Sequence, residues 1–497
     1  MKVTRRRALF YQRRTSNLYR LFGLAVFILA GAWVVLRLHT GEIRNPFDPT
    51  PTATRTINSW VLEGEASFEV GNLPAAISAY QDAVKVDPSD TAALAELARI
   101  QTYSSRLLSN DTDRLARLTD ALKSADQAKA IAPDDSNVLA IRAFVLDWNA
   151  DPNLDPLRTG GKTAAKLIIE AEQEALHAIQ LDGKNPLALA FYAEILIDEQ
   201  KWTQAEPNIQ SALQLGPQVM DVHRVNAYYL ESIREYTLAI DEYRQALTSN
   251  PNLTFLYISI GHNYRALALN SPPQSQQQAA YYNQALDSYA KAVSLNVQLK
   301  ISDPSPYLAI AKTYSQMGEF FASALNAQKA IALDPTNSDL YGQLGIIYKS
   351  GRNFETSIVA LKCAVRGCTA AESCTARNGC PAGDPGNSIQ PLLLNPVSAY
   401  YYLNYGSVLS AWPNLPGYCT EAVDVLTIVK NAYPGVVDIV RNADVGLSIC
   451  ADVKASWTQT PTPVGVPTSS VITMPAPYST PTSAFLSTPP PDSTPTP

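Results

Sequence analysis

Residues 220–253 read MDVHRVNAYYLESIREYTLAIDEYRQALTSNPNL. Counting Met220 as position 1, Ala227 falls at 8, Tyr236 at 17, Ala239 at 20, Tyr243 at 24, Ala246 at 27 and Pro251 at 32. Apolar residues recur at i, i+3/i+4 and i+7, which predicts two amphipathic helices of about twelve residues each. Small residues at 8, 20 and 27 let the helices approach closely, and aromatic residues fill the space around them. Proline at 32 stops the second helix and sets the direction of the next. One such pair cannot cover its own apolar face, so it needs neighbours of the same kind.

The sequence supplies them. Residues 304–337 repeat the spacing with Tyr307, Ala311, Tyr314, Gly318, Phe320, Ala330 and Pro335. Residues 338–371 give Tyr341, Leu344, Gly345, Tyr348, Phe354 and Ala364, and residues 57–90 give Trp60, Gly64, Gly71, Ala76, Tyr80, Ala83 and Pro88. Several spaced positions recurring together at a 34-residue step resemble the tetratricopeptide repeat family. The resemblance covers residues 57–453 and is weakest in the second, third and ninth units. It implies an all-α fold, a right-handed superhelical solenoid of antiparallel helix pairs. About nine repeats are expected, with insertions at 149–162, 269–280, 368–397 and 411–418, and a terminal helix at 437–453 closes the stack.

Outside the repeats the composition changes. Seven basic residues and no acid occupy residues 1–20, followed by the apolar run 21–38, whose residues 21–36 carry no charge. That run is just long enough to span a bilayer, and the one-sided charge places residues 1–20 in the cytoplasm. A cleavable signal peptide is the competing reading, because Ala30-Gly31-Ala32 has small residues at the cleavage spacing. Residues 39–56 are a Pro/Thr linker. Residues 454–497 form a Pro/Thr/Ser-rich tail that cannot bury enough apolar surface to order, a solvated spacer or a glycosylated stalk.

Net charge is −6, but eight basic residues lie before residue 38, which leaves −14 for the rest. An acidic body argues against a nucleic-acid partner. The four histidines are scattered, so no His-based metal site is expected. Gly160-Gly161-Lys162-Thr163 is not a phosphate-binding loop, because Pro156 stands where that motif needs glycine. No nucleophile–base constellation is visible, so the expectation is a non-enzyme without cofactor, metal or catalytic residues. Six cysteines lie in the last two repeats and their insertion. The spacing of Cys363, Cys368, Cys374 and Cys380 fits paired zinc ligands poorly and favours disulfides among these four, in any of three connectivities. Cys419 and Cys450 fall at the turn ends of adjacent helix pairs and are expected to join.

In the geometry the resemblance implies, positions 2, 5, 9 and 12 of each first helix face the concave groove. This register selects Arg224 and Tyr228, then Phe255, His262 and Arg265, then Lys312 with Gln316 beside it, and Lys349. Either these are ordinary solvated helix residues, or repeats five to eight hold an acidic or C-terminal peptide, with Arg224, Arg265 and Lys312 giving charge-assisted hydrogen bonds and Tyr228 and Phe255 apolar anchors. The Lys-at-5, Asn-at-9 pattern of the carboxylate-clamp subfamily is absent. The expected function is a membrane-anchored, extracytoplasmic scaffold for protein–protein interaction. The alternatives are an accessory or regulatory subunit of an envelope glycan-assembly enzyme, or a structural stalk.

Overall fold

The computed structural model describes residues 17–39, 56–158, 160–412 and 415–458, and among these every element longer than an isolated bridge is helical. The basic segment up to residue 16, most of the linker and nearly all of the Pro/Thr-rich tail lie outside the described residues. Helix α1, Leu18–His39, has 22 residues, about 33 Å at 1.5 Å per residue. Its stretch Leu18–Arg37 is apolar and long enough to cross a membrane, and its side chains are exposed.

Antiparallel pairs follow: α2 Ile57–Glu69 with α3 Leu73–Val86, α4 Thr91–Ser104 with α5 Asp111–Ile131, and α6 Ser136–Asn149 with α7 Ala164–Leu181. Next come α8 Pro186–Asp198 with α9 Trp202–Leu215, and α10 Met220–Ser232 with α11 Tyr236–Ser249. The series continues with α12 Thr254–Asn270 and α13 Gln276–Leu299, α14 Ser305–Met317 and α15 Phe320–Leu333, then α16 Ser338–Ser350 and α17 Phe354–Val365. The short α18 Ala370–Ala376 precedes α19 Ser398–Ser410, α20 Tyr418–Ala432 and α21 Val437–Thr458. Two compact units result, one through Tyr405 and one from Gly406 onward. Each stands on its own packing.

The repeat spacing explains the packing. Ala76, Ala83, Ala205, Ala212, Ala239 and Ala246 are fully buried between paired helices, beside Tyr80, Tyr289 and Tyr341. Gly261 shows how close the approach is, because a Cβ there would lie 2.4 Å from the Tyr289 ring. Asparagine and aspartate start many of the helices: Asn72 accepts from the Ala75 amide at 3.1 Å, and Asp90 from the Ala93 amide at 3.0 Å. Within the pairs the chain turns through one left-handed residue. Gly71 and Gly318 take it in two repeats, Gln200, Arg234 and Arg352 in three others.

The insertions behave differently from one another. The one expected at 269–280 is largely helical: it lengthens α12 and α13 to 17 and 24 residues and leaves a turn of residues 271–275. The one at 149–162 holds a 3-10 turn, Pro152–Leu157, whose Asp155 accepts from the Ala164 amide at 2.9 Å and so caps α7. In 368–397, α18 is framed by the Cys368–Ile389 bridge and by the disulfides Cys363–Cys368 and Cys374–Cys380. Of the loop 411–418, Pro413 and Asn414 lie outside the described residues. In the second unit Cys419 is bonded to Cys450, with Cα atoms 5.3 Å apart, joining α20 to α21. Helix α21 runs to Thr458, beyond the expected end at 453, because Lys454–Thr458 contains neither proline nor glycine to stop it.

The first unit also folds back on itself. Tyr103 of α4 stacks on Phe255 of α12, ring centroids 5.1 Å apart. Arg99 donates to Asp221 at 2.9 Å, and the Ser109 hydroxyl donates to Asp334, so repeats one hundred or more residues apart touch directly.

Candidate binding cavity on the inner helices

The first helices α6, α8, α10 and α12, with the turn after α4 and residues of α5, α7 and α11, surround a cavity of about 730 Å³. Its wall holds Arg106, Asp147, Trp148, Glu194, Asp198, Arg224, Tyr228, Glu231, Tyr243, Phe255 and His262, among others. Four of the sequence-selected residues therefore meet here: Arg224, Tyr228, Phe255 and His262.

Arg224 does not act as a free groove cation, which corrects the expectation. It is 5% exposed. It donates to both oxygens of Glu194, at 2.7 and 2.5 Å, and to the Tyr103 hydroxyl at 3.0 Å. Its guanidinium also lies over the Tyr103 and Phe144 rings, 5.4 Å from each centroid. Burial opposes its charge, but Glu194, Tyr103 and Asp221 together outweigh burial and keep it protonated. Arg99, which also pairs with Glu96, joins Asp221 and the Tyr103 hydroxyl, which donates to Asp221, to complete a network of two cations and three carboxylates. This network joins repeats and is satisfied internally.

Phe255 is likewise 7% exposed and held by the Tyr103 ring, so it packs the interior rather than anchoring a ligand. Tyr228 keeps a partly exposed ring, but its hydroxyl donates to Asp198 at 2.5 Å. His262 sits in the concavity with water reaching its ring. Crowding by the surrounding chain, then the positive charges of Arg265, Arg106 and Lys312, push its pKa down and keep the imidazole neutral.

Arg265 and Lys312 fit the expectation of groove cations better. Neither makes a hydrogen bond or ion pair among the described residues, and Arg265 Nη1 is buried without a partner. Burial lowers the Lys312 pKa, and Arg265 adds to that, against an opposing pull from Asp339. Lys349 instead donates to Asn404 at 2.7 Å, and Gln316 is solvent-exposed on α14. Neither lines this cavity.

Three carboxylates dominate the wall, Asp147, Asp198 and Glu231, of which the repeat register selects Glu231, at position 12 of the fifth unit. Asp147 of α6 is 4% exposed, and both its oxygens are buried with no hydrogen-bond partner among the described residues. Asp198 accepts from the Tyr228 hydroxyl. Glu231 accepts from two neutral donors, the Tyr243 hydroxyl at 3.2 Å and the Asn263 amide at 2.9 Å. Of the other cations in the wall, Arg114 donates to Asp151 at 2.6 Å and Arg106 lies over the Trp148 ring, 5.1 Å from its centroid. A signal for Asp147 exists in the sequence. It is position 12 of the unit beginning at Ser136, one of the groove-facing positions, but the repeat spacing is too degraded in that unit to carry the register.

Paired helices stacked around a polar, charge-lined concavity define a repeat solenoid of the binding-scaffold class. The chain contains tetratricopeptide repeats: profiles described as tetratricopeptide repeat match residues 61–102, 192–253 and 326–359. Among solved structures, the human IFIT1 dimer with PPP-AAAA is 14% identical, covers 81% of this chain and 92% of its own, and superposes with a TM-score of 0.48. A tetratricopeptide repeat protein of Parabacteroides merdae is 15% identical over 59% of this chain and 98% of its own, TM-score 0.33. A thermophilic one of Thermus thermophilus is 17% identical over 42% and 98%, TM-score 0.33. Comparison with curated protein sequences gives no match.

Proposed function

We propose that this repeat protein is a membrane-anchored scaffold that holds a protein or peptide partner in the concavity of its first unit, outside the cytoplasm. The observation that carries the reading is the set of inner-face charges without partners, Arg265, Lys312 and Asp147, beside a buried network in which Arg99, Arg224, Glu194 and Asp221 are paired. Leaving such groups unpaired costs stability, which a bound partner would return. Arg265 and Lys312 would receive an acidic group of the partner. Helix α1 and the basic residues before it support the anchor and its direction. The three disulfides, with no free cysteine among the described residues, support an oxidising compartment.

Affinity capture from the native envelope tests the binding role. The full chain is expected to retain a discrete protein partner, and a double Arg265→Ala/Lys312→Ala chain to retain less of it, with weaker salt dependence. Equal retention removes the acidic-group reading. Digestion of intact spheroplasts tests the placement: an ectodomain protected from added protease removes it.

A further inference from the structure

The carboxylates of the cavity have a chemistry opposite to that of Arg265 and Lys312, which do not line it. Asp147, Asp198 and Glu231 have no Lys or Arg hydrogen-bonded to them, whereas the neighbouring Glu194 is fully engaged by Arg224 and by the Trp148 indole, which donates at 3.1 Å. Asp147 is the sharpest case, a carboxyl with both oxygens buried and unmatched. Burial, then Asp198, Glu194 and Glu199, push its pKa well up, against Arg224. Tyr228, whose ring is partly exposed, adds an aromatic face to the same wall. Carboxylates beside aromatic rings favour an organic cation, through hydrogen bonds and cation–π attraction together. Among the described residues no three acidic, His or Cys side chains converge closely enough to hold a metal ion, so a ligand that spreads its N–H donors fits better than a point charge.

We infer that the cavity between α6, α8 and α10 is a subsite for a basic side chain, a guanidinium presented by the bound partner, with Asp147, Asp198 and Glu231 as its acceptors. The inference rests on the scaffold reading above and gives the partner's chemistry: one basic residue for this subsite, beside an acidic group for Arg265 and Lys312. The volume of about 730 Å³ admits an arginine side chain with several residues of backbone.

The test uses the full chain in detergent micelles. The probes are a capped Gly-Gly-Arg-Gly-Gly peptide, its citrulline counterpart, which has the same shape without the charge, and spermidine. The arginine peptide should bind saturably, and the citrulline peptide roughly tenfold more weakly or worse. Asp147→Asn should lose a similar factor while helix content and melting temperature hold. Glu231→Gln is the second variant should Asp147→Asn not fold. Equal binding of the two peptides, no binding of either, or unchanged affinity in both variants overturns the subsite. Binding of spermidine without the arginine peptide overturns the peptide source. Envelope capture separates the two readings. A partner retained equally by wild type and Asp147→Asn sinks the subsite and spares the scaffold. Arginine-peptide binding with no captured protein sinks the scaffold and spares the subsite.

Discussion

Arg224 of α10 and Lys312 of α14 both stand at groove-facing positions of first helices and have opposite fates. Arg224 is locked to Glu194, thirty residues earlier, whereas Lys312 has no partner among the described residues. Arg224→Ala should therefore destabilise the first unit by about 3–5 kcal/mol, because it strands the buried Glu194. Lys312→Ala should shift stability by less than about 1 kcal/mol or raise it. Chemical denaturation of both variants checks the contrast, and equal effects would refute it. Position in the repeat tells which residues face inward. It does not tell which inward charge is already paired, since that depends on a partner one repeat away. A second residue makes a pH prediction. Asp303 is 1% exposed. Its pKa is raised to about 6 by burial, partly offset by hydrogen bonds from Ser305 and Asn296. A raised carboxyl stabilises the fold below its unfolded pKa near 3.8, and that contribution fades as pH rises through 6. Against an Asp303→Asn chain, wild type should thus lose about 2–3 kcal/mol between pH 4 and pH 7. A pH-independent difference between the two would contradict this.

At the scale of elements, helix boundaries follow the small–aromatic–proline spacing wherever that spacing is present. The segment 269–280 reads as an insertion because it breaks the 34-residue step, yet its Gln- and Ala-rich sequence propagates helix, and α12 and α13 simply grow longer. Length in a repeat is a register error but not a structural one. The disulfides differ in what they hold. Cys363–Cys368 and Cys374–Cys380 close spans of 5 and 6 residues around α18, whereas Cys419–Cys450 closes 31 between two long helices. Replacing Cys419 and Cys450 by serine should cost the second unit roughly 2–4 kcal/mol, and replacing either short pair less. Melting curves of the three double-serine chains measure this ordering. The connectivity of the four clustered cysteines is not legible in the sequence, because three pairings satisfy the same spacing and only the course of the insertion decides among them.

At the scale of the whole first unit, the contacts Arg99–Asp221 and Tyr103–Phe255 set it apart from an open stack in which each repeat touches only its neighbours. Opening of α4 should then be tied to opening of α10 and α12. Hydrogen exchange is expected to give these helices one common free energy in wild type. In Tyr103→Ala, which removes a buried ring at a cost of about 3–5 kcal/mol, the helices should separate. Independent exchange in the wild-type chain would show the contacts to be incidental. No local spacing encodes this closure, because it depends on the pitch accumulated over several repeats. The closure also bears on how such a gene can change. Open arrays gain and lose whole units by duplication and deletion, and the survivors still stack. Here the count between Tyr103 and Asp221 is fixed: one unit more or fewer would carry Arg99 past its carboxylate and Tyr103 past Phe255. Lineages of this protein should lengthen through their loops and helix ends, as at 269–280, and keep the number of staves in the hoop constant.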